Sequence, residues 1–454
     1  MTTPNLTSVT GTGEEQEMSE PITRARPVHP YVHVVILAVI GGLSVLAWLI
    51  VYEKLNRALW ENDFVSSNPW MFPVICLPFS LVVGLLVKYR HAPTTLDSSM
   101  LDSLSGDVSK IDWRTLPITI LMSLVSLFSG AVLGPEGGIG HIASRIAALY
   151  NDKVGIPADQ RSRLVFSALS SGYNGLIANP LFTGVMGSEL IADPQAKSRN
   201  LPATLIGGSI GYLIFFAAGS AGLQNYLHLS PTQGFKPLDV ALVVLFGLLG
   251  LVLALITGGL FRASSALFGR FKDRVVERAL VAGIIFSVVG VFAPILLFSG
   301  ESQIKTVAAD PATYGPALLL VMALVKLALL AVAFKSGFLG GPTFPAIFAS
   351  TCVALAVSLL FPVINQDVII GGVMAGFLIV LFKAPLMVIL LTAVMLQANA
   401  ELVALIVLAV AAVMIVMPYV MAVVNSRQTP GPAGARPRDD DDSGSREVRT
   451  IKEG

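Results

Sequence analysis

The chain has 454 residues, of which 54% are apolar and 13% charged, and its net charge is +1. A soluble domain carries about 25% charged side chains, and here residues 1–30 hold 6 of the 59 charges and residues 426–454 hold 12, leaving 41 for the 395 residues between. A stretch with one charge in ten cannot cover a folded surface with polar groups, so most of its surface must face lipid; a soluble enzyme, a nucleic-acid-binding protein and a disordered scaffold are all disfavoured.

Residues 1–30 are polar and lack an early apolar core, so no secretory signal is expected, and the segment reads as a disordered cytoplasmic tail. Apolar runs then follow at 31–52, 69–87, 115–133, 137–150, 161–173, 180–192, 201–221, 238–266, 277–298, 315–334, 344–361, 367–382, 385–397 and 401–424. A spanning helix needs about 20 apolar residues. The runs at 137–150, 180–192 and 385–397 are too short, which predicts broken or re-entrant helices shielded by protein or by an aqueous cavity. Cys76 and Cys352 lie in apolar stretches without a CxxC pair and read as small buried hydrophobes. Residues 426–454, which include Asp439 to Asp442, read as a second disordered cytoplasmic tail with no further folded domain. Arg24 and Arg26 precede the first run, and Arg427, Arg436 and Arg438 follow the last, so both termini are expected on the cytoplasmic side of a multi-pass cell-membrane protein.

The interruptions are rich in Gly and Pro, and they occur twice. Ser129-Gly130-Ala131-Val132-Leu133-Gly134-Pro135-Glu136-Gly137-Gly138 forms the first, and Ser336-Gly337-Phe338-Leu339-Gly340-Gly341-Pro342-Thr343-Phe344-Pro345 forms the second. A Pro-Leu pair opens a short helix downstream of each, at Asn179-Pro180-Leu181 and at Ala384-Pro385-Leu386. Gly134 to Pro180 and Gly340 to Pro385 differ in spacing by a single residue. This pattern predicts two structural repeats, about 31–221 and 238–425, each contributing half of a site near the membrane midplane.

Glu136 is the principal candidate. It stands at a helix start, flanked by glycines in an apolar region. A helix N-terminus offers unpaired N–H donors and about half a positive charge, and so attracts anions. An ionised Glu136 can occupy such a site itself and, once protonated, vacate it for a diffusing anion. The alternative is a first-turn glutamate that merely stabilises its helix, but an ionisable residue inside a membrane is a functional candidate by default. The second break also starts a helix, and its backbone and the Thr343 hydroxyl are candidate donors to the same site. Glu189 is read either as an inner proton relay or as a water-exposed end residue. His141 and Arg145, one turn apart on the helix after Glu136, either share its environment or, the favoured reading, line an aqueous vestibule or snorkel; Lys326, Lys335 and Lys383 are read as vestibule or snorkelling side chains. No metalloprotease, nucleophile-elbow or P-loop motif occurs and the five histidines are scattered, so neither an enzyme nor a metal or other cofactor is expected. An intramembrane hydrolase using Glu136 with His141 would need a metal or a nucleophile that no motif supplies.

Taken together, these segments resemble the CLC family of chloride channels and chloride/proton antiporters. The resemblance rests on Trp113 to Pro117 through Gly134-Pro135-Glu136-Gly137-Gly138, similar to the family's G-[RK]-E-G-P. It rests further on Tyr173 to Leu190, on Ser336 to Pro345, similar to G-x-F-x-P, and on Lys383-Ala384-Pro385-Leu386, and it spans about residues 31–425. It implies an all-α polytopic inverted repeat of broken and re-entrant helices, a homodimer with one anion pathway per subunit, and Glu136 as gate and proton carrier. It also implies an anion site formed by Ser98, Gly134, Gly137, Thr343, Phe344 and Tyr419. Several positions depart from the family pattern: Asp97 beside Ser98, Pro135 for a basic residue, Gly138 for the last proline, Thr343 for a phenylalanine, and Leu190 for the second of two paired glutamates. Pro342, which has no N–H, stands where a backbone donor faces the anion. The expected activity is exchange of a small inorganic anion, chloride first, for protons; a passive voltage- or pH-gated channel and a transporter of altered selectivity are the alternatives.

Overall fold

The structure, a computed structural model, describes residues 29–95, 108, 111–191, 193–219, 234 and 236–426, except the side chains of Ser66 and Asn425. Ser98, Asp97 and both terminal tails lie outside the described residues. The order is α1 (Pro30–Trp60), α2 (Asp63–Ser67), α3 (Met71–Arg90), α4 (Leu116–Phe128), α5 (Glu136–Val154), α6 (Ala158–Tyr173), α7 (Pro180–Glu189) and α8 (Pro194–Ala217). It continues with α9 (Pro237–Gly269), α10 (Val275–Phe292), α11 (Glu301–Ala309), α12 (Gly315–Ser336), α13 (Thr343–Leu360), α14 (Gln366–Phe382), α15 (Pro385–Leu396) and α16 (Ala400–Ser426). Among the described residues, the one β feature is an isolated antiparallel bridge, Gly134 to Gly341.

Among the described residues, eight helices are long and apolar enough to cross a membrane. They divide by what covers them. In the most apolar window of α13, 72% of residues are buried inside the protein, against 33% in α3, α10 and α16. The outer helices therefore present apolar side chains such as Leu81, Leu213, Phe216, Leu245, Ile284 and Val288 outward, the surface a lipid-facing helix needs. Helices α5, α13 and α14 form the interior, and Cys76 and Cys352 are buried free thiols. Around this interior, α1 packs on α6 and α8, and α9 packs on α14 and α16. The short helices α7 and α15 pack on each other.

Local chemistry sets the helix starts. Proline at the first position has a preset φ and no N–H to leave unsatisfied, and it opens α1, α7, α8, α9 and α15. The Asn179 side chain caps α7 by accepting from Phe182 N at 2.8 Å, and Asp193 caps α8 by accepting from Ala196 N at 3.1 Å. Helices α5, α13 and α15 differ: Pro135, Pro342 and Ala384 at their N-caps have no side-chain oxygen. Their amides need acceptors from elsewhere.

Lys326 departs from the expected snorkelling. It is fully buried, and its Nζ donates to the carbonyl oxygens of Leu296 (3.2 Å), Leu297 (2.8 Å) and Phe298 (2.9 Å) while standing 4.8 Å from the centre of the Phe348 ring. It ties the irregular segment between α10 and α11 to α12 and α13, because carbonyls without helical partners need a donor when water is excluded.

Candidate functional site

The two Gly/Pro breaks meet. Gly134 N donates to Gly341 O and Gly341 N donates to Gly134 O, both at 2.8 Å, so the segments preceding α5 and α13 run against each other. Glycine is needed for this approach. A Cβ on Gly137 would stand 2.5 Å from the Gly340 carbonyl carbon, and one on Gly341 would stand 2.5 Å from Glu136 Oε2. Both contacts are closer than real Cβ atoms tolerate.

The crossing places the side chain of Glu136, at the start of α5, over the uncapped start of α13. Glu136 Oε1 accepts from Phe344 N at 3.1 Å, the Thr343 hydroxyl lies beside the same carboxyl, and Oε2 is buried with no hydrogen-bond partner. The Tyr173 hydroxyl donates to the Glu136 carbonyl oxygen at 3.2 Å. The carboxylate thus lies where a free anion would be drawn by the amides at the start of α13.

A cavity of about 430 Å³ opens at this point. Glu136, Gly137, Thr343 and Phe344, four of the residues expected from sequence, line it. So do Pro342 and Leu190, which mark departures from the family pattern, and Leu176, Phe182, Met186 and Leu381, which make much of the wall apolar. Gly134 contributes through its bridge to Gly341. A second cavity of about 620 Å³ is lined by Tyr52, Glu53, Glu61, Pro135, Glu301 and Lys305, among others. Pro135 belongs to this wall, the adjacent Glu136 to the first, and Leu176 to both.

One expected residue lies away from both cavities. Tyr419 is 73% exposed near the end of α16 and is not among the residues lining either cavity. That end of the helix, past Pro418, carries mostly exposed side chains among the described residues. The tyrosine at the site is Tyr173, which ends α6 just before the turn into α7. Thr95 was also missed: its hydroxyl donates to Phe338 O and Gly340 O, both at 2.9 Å, and accepts from Gly340 N at 2.9 Å, bracing the second break. A tyrosine directly before an Asn-Gly helix end was the readable signal for Tyr173; no local pattern marks Thr95.

Glu189 lies at the end of α7 and is not among the residues lining the 430 Å³ cavity. Its Oε2 accepts from Met387 N at 2.7 Å, and Lys197 Nζ stands 3.8 Å from Oε1. Met387 occupies in α15 the position that Phe182 occupies in α7. Glu189 therefore supplies the cap that Ala384 cannot, and its side chain is 3% exposed rather than water-facing.

This architecture defines an all-α polytopic membrane protein built around two broken helices that face each other. Residues 79–417 match the family described as voltage gated chloride channel. The chain belongs to that family, the CLC family of anion-transport membrane proteins. Similar relatives include proteins provisionally named ion-transport protein YfeO from Salmonella newport (strain SL254) and Salmonella typhimurium (strain LT2). Each is 23% identical over 361 residues, covering 77% of this chain and 85% of the relative. Two solved structures share the fold. A slow cyanobacterial Cl−/H+ antiporter has a TM-score of 0.68 at 17% identity, covering 88% of this chain and 98% of its own. A CLC-type fluoride/proton antiporter has a TM-score of 0.67 at 18% identity, covering 86% and 95%.

Proposed function

We propose that this protein exchanges a small inorganic anion, chloride first, for protons across the cell membrane, with Glu136 as both gate and proton carrier. The observation that carries this reading is the Glu136 Oε1 bond to Phe344 N. A carboxylate held by the amides at the start of α13 is a tethered anion in an anion's position. On protonation it loses its charge-assisted bond, swings away, and leaves those donors to a diffusing anion. The proton it then carries is released when the carboxylate returns. The anion path joins the two cavities through the Pro135–Glu136 step. Residues 31–221 and 238–425 act as the two repeats, the termini face the cytoplasm, and two copies form a homodimer, as the family resemblance implies.

Protons reach Glu136 through water in the 430 Å³ cavity rather than through Glu189, which its ion pair and helix cap hold in place. The test is a proteoliposome assay with purified protein under an outward chloride gradient. Uphill proton uptake coupled to chloride efflux is expected, and chloride efflux without proton movement would leave a passive channel.

A second reading, altered anion selectivity, is favoured by Pro342. It lines the cavity yet offers no N–H, so fewer backbone donors face the anion than in a break without proline. Competition among chloride, fluoride, bromide and nitrate in the same liposomes decides between the readings. Preference for chloride or nitrate keeps the first.

A further inference from the structure

Most donors on the cavity wall are already committed to backbone. Tyr173 gives its hydroxyl proton to the Glu136 carbonyl, and Thr95 gives its own to Phe338 and Gly340. His141 is different. It lines the same cavity, is 1% exposed, and lies one turn beyond Gly137 on the same face of α5. Its Nδ1 is 2.8 Å from Arg145 Nη1, whereas its Nε2 is buried with no hydrogen-bond partner among the described residues.

Arginine is always a donor, so Nδ1 must present its lone pair to the guanidinium. The imidazole proton is therefore on Nε2, and a second ring proton would face a fixed positive charge. Arg145 is itself anchored: its Nε donates to Thr115 Oγ1 at 2.7 Å, and its Nη1 also reaches His141 O at 3.3 Å. His141 thus joins two features: it lines the cavity, and its buried Nε2 lacks a partner among the described residues, a costly arrangement for an N–H.

We propose that His141 is an anion ligand of this pathway: Arg145 locks its imidazole as the Nε2–H tautomer, and that N–H donates to the partly dehydrated inorganic anion passing between the cavities. The donor replaces, from the first repeat, the one that Pro342 removes from the second. Arg145 acts as a positioning residue, setting the tautomer from behind. This inference rests on the anion-transport reading above.

Two measurements test it. In proteoliposomes, His141→Leu should raise the half-saturating chloride concentration about tenfold, the weight of one charge-assisted bond. His141→Gln, which keeps an N–H donor, should recover part of that loss, and Arg145→Gln should fall between wild type and His141→Leu. In the full-length wild-type protein labelled with 15N-histidine, the signal absent from His141→Gln identifies His141. It should show a protonated Nε2 and a bare Nδ1, and the Nε2–H resonance should shift saturably with chloride but not with gluconate. A wild-type protein that moves no anion defeats the transport reading itself. A wild type that conducts, with His141→Leu folded and unchanged in half-saturation, overturns the ligand role. So does a proton on Nδ1, or an equal shift with gluconate, which would mark the partner of Nε2–H as water only; the NMR result stands even if His141→Leu fails to fold.

Discussion

Glu136 and Glu189 make the same bond in two settings. Each is a buried carboxylate in the first half of the chain that accepts a backbone N–H from the first turn of a helix in the second half, Phe344 of α13 and Met387 of α15. Each serves a helix whose own N-cap has no side-chain oxygen. They differ in what surrounds them. Glu189 has Lys197 beside it and is not among the residues lining the cavity; Glu136 lines the cavity, and its second oxygen has no partner. Its bond to the start of α15 makes the first a clasp between the two halves of the chain. A cavity beside the second leaves it room to move, as the proposed gate requires.

The contrast breaks first at Glu136. Glu136→Ala is expected to abolish uphill proton movement entirely while chloride flux persists, read from proton and chloride electrodes in the same liposomes. Gly341→Ala comes next, because its new Cβ falls 2.5 Å from Glu136 Oε2 and 2.7 Å from Glu136 Cβ. It should push the carboxyl off α13, raising chloride flux at neutral pH several-fold, and overpacking should cost about 1–3 kcal/mol of stability in a thermal or denaturant melt. Glu189→Gln keeps an accepting oxygen but loses the charge. Proton coupling should survive while stability falls by about 1 kcal/mol, and loss of coupling would instead make Glu189 the inner relay. Lys197→Met should be the mildest, about 0–1 kcal/mol with transport unchanged, since Lys197 is 40% exposed and the pair is solvent-screened.

Much of this was legible in the sequence because lipid makes rules strict. The apolar runs map onto the helices, and the two Gly/Pro breaks could be placed because non-helical backbone is rare at membrane depth. Glu136 stood out as an acid in a stretch nearly free of charge. The local sequence also showed prolines at the N-caps of α5 and α13, and hence helix starts without caps of their own. It did not show who answers them: the bonds from Glu136 to Phe344 and from Glu189 to Met387 span 208 and 198 residues. The family resemblance points to Tyr419, whereas the tyrosine hydroxyl that bonds the Glu136 backbone is that of Tyr173, on a different helix. Lys326 looked like a snorkelling lysine because its three carbonyl partners lie about 30 residues back in an irregular segment that no periodicity marks.

In the proposed mechanism, ionised Glu136 holds the anion's place at α13 and protonation empties it. Chloride flux measured from pH 8 to pH 4 in wild type and in Glu136→Gln tests this most directly. Wild-type flux is expected to rise as pH falls, because acid converts the tethered anion to a neutral group, and Glu136→Gln flux is expected to be high and flat across the range. A Glu136→Gln profile that still rises with acid as wild type does would contradict it.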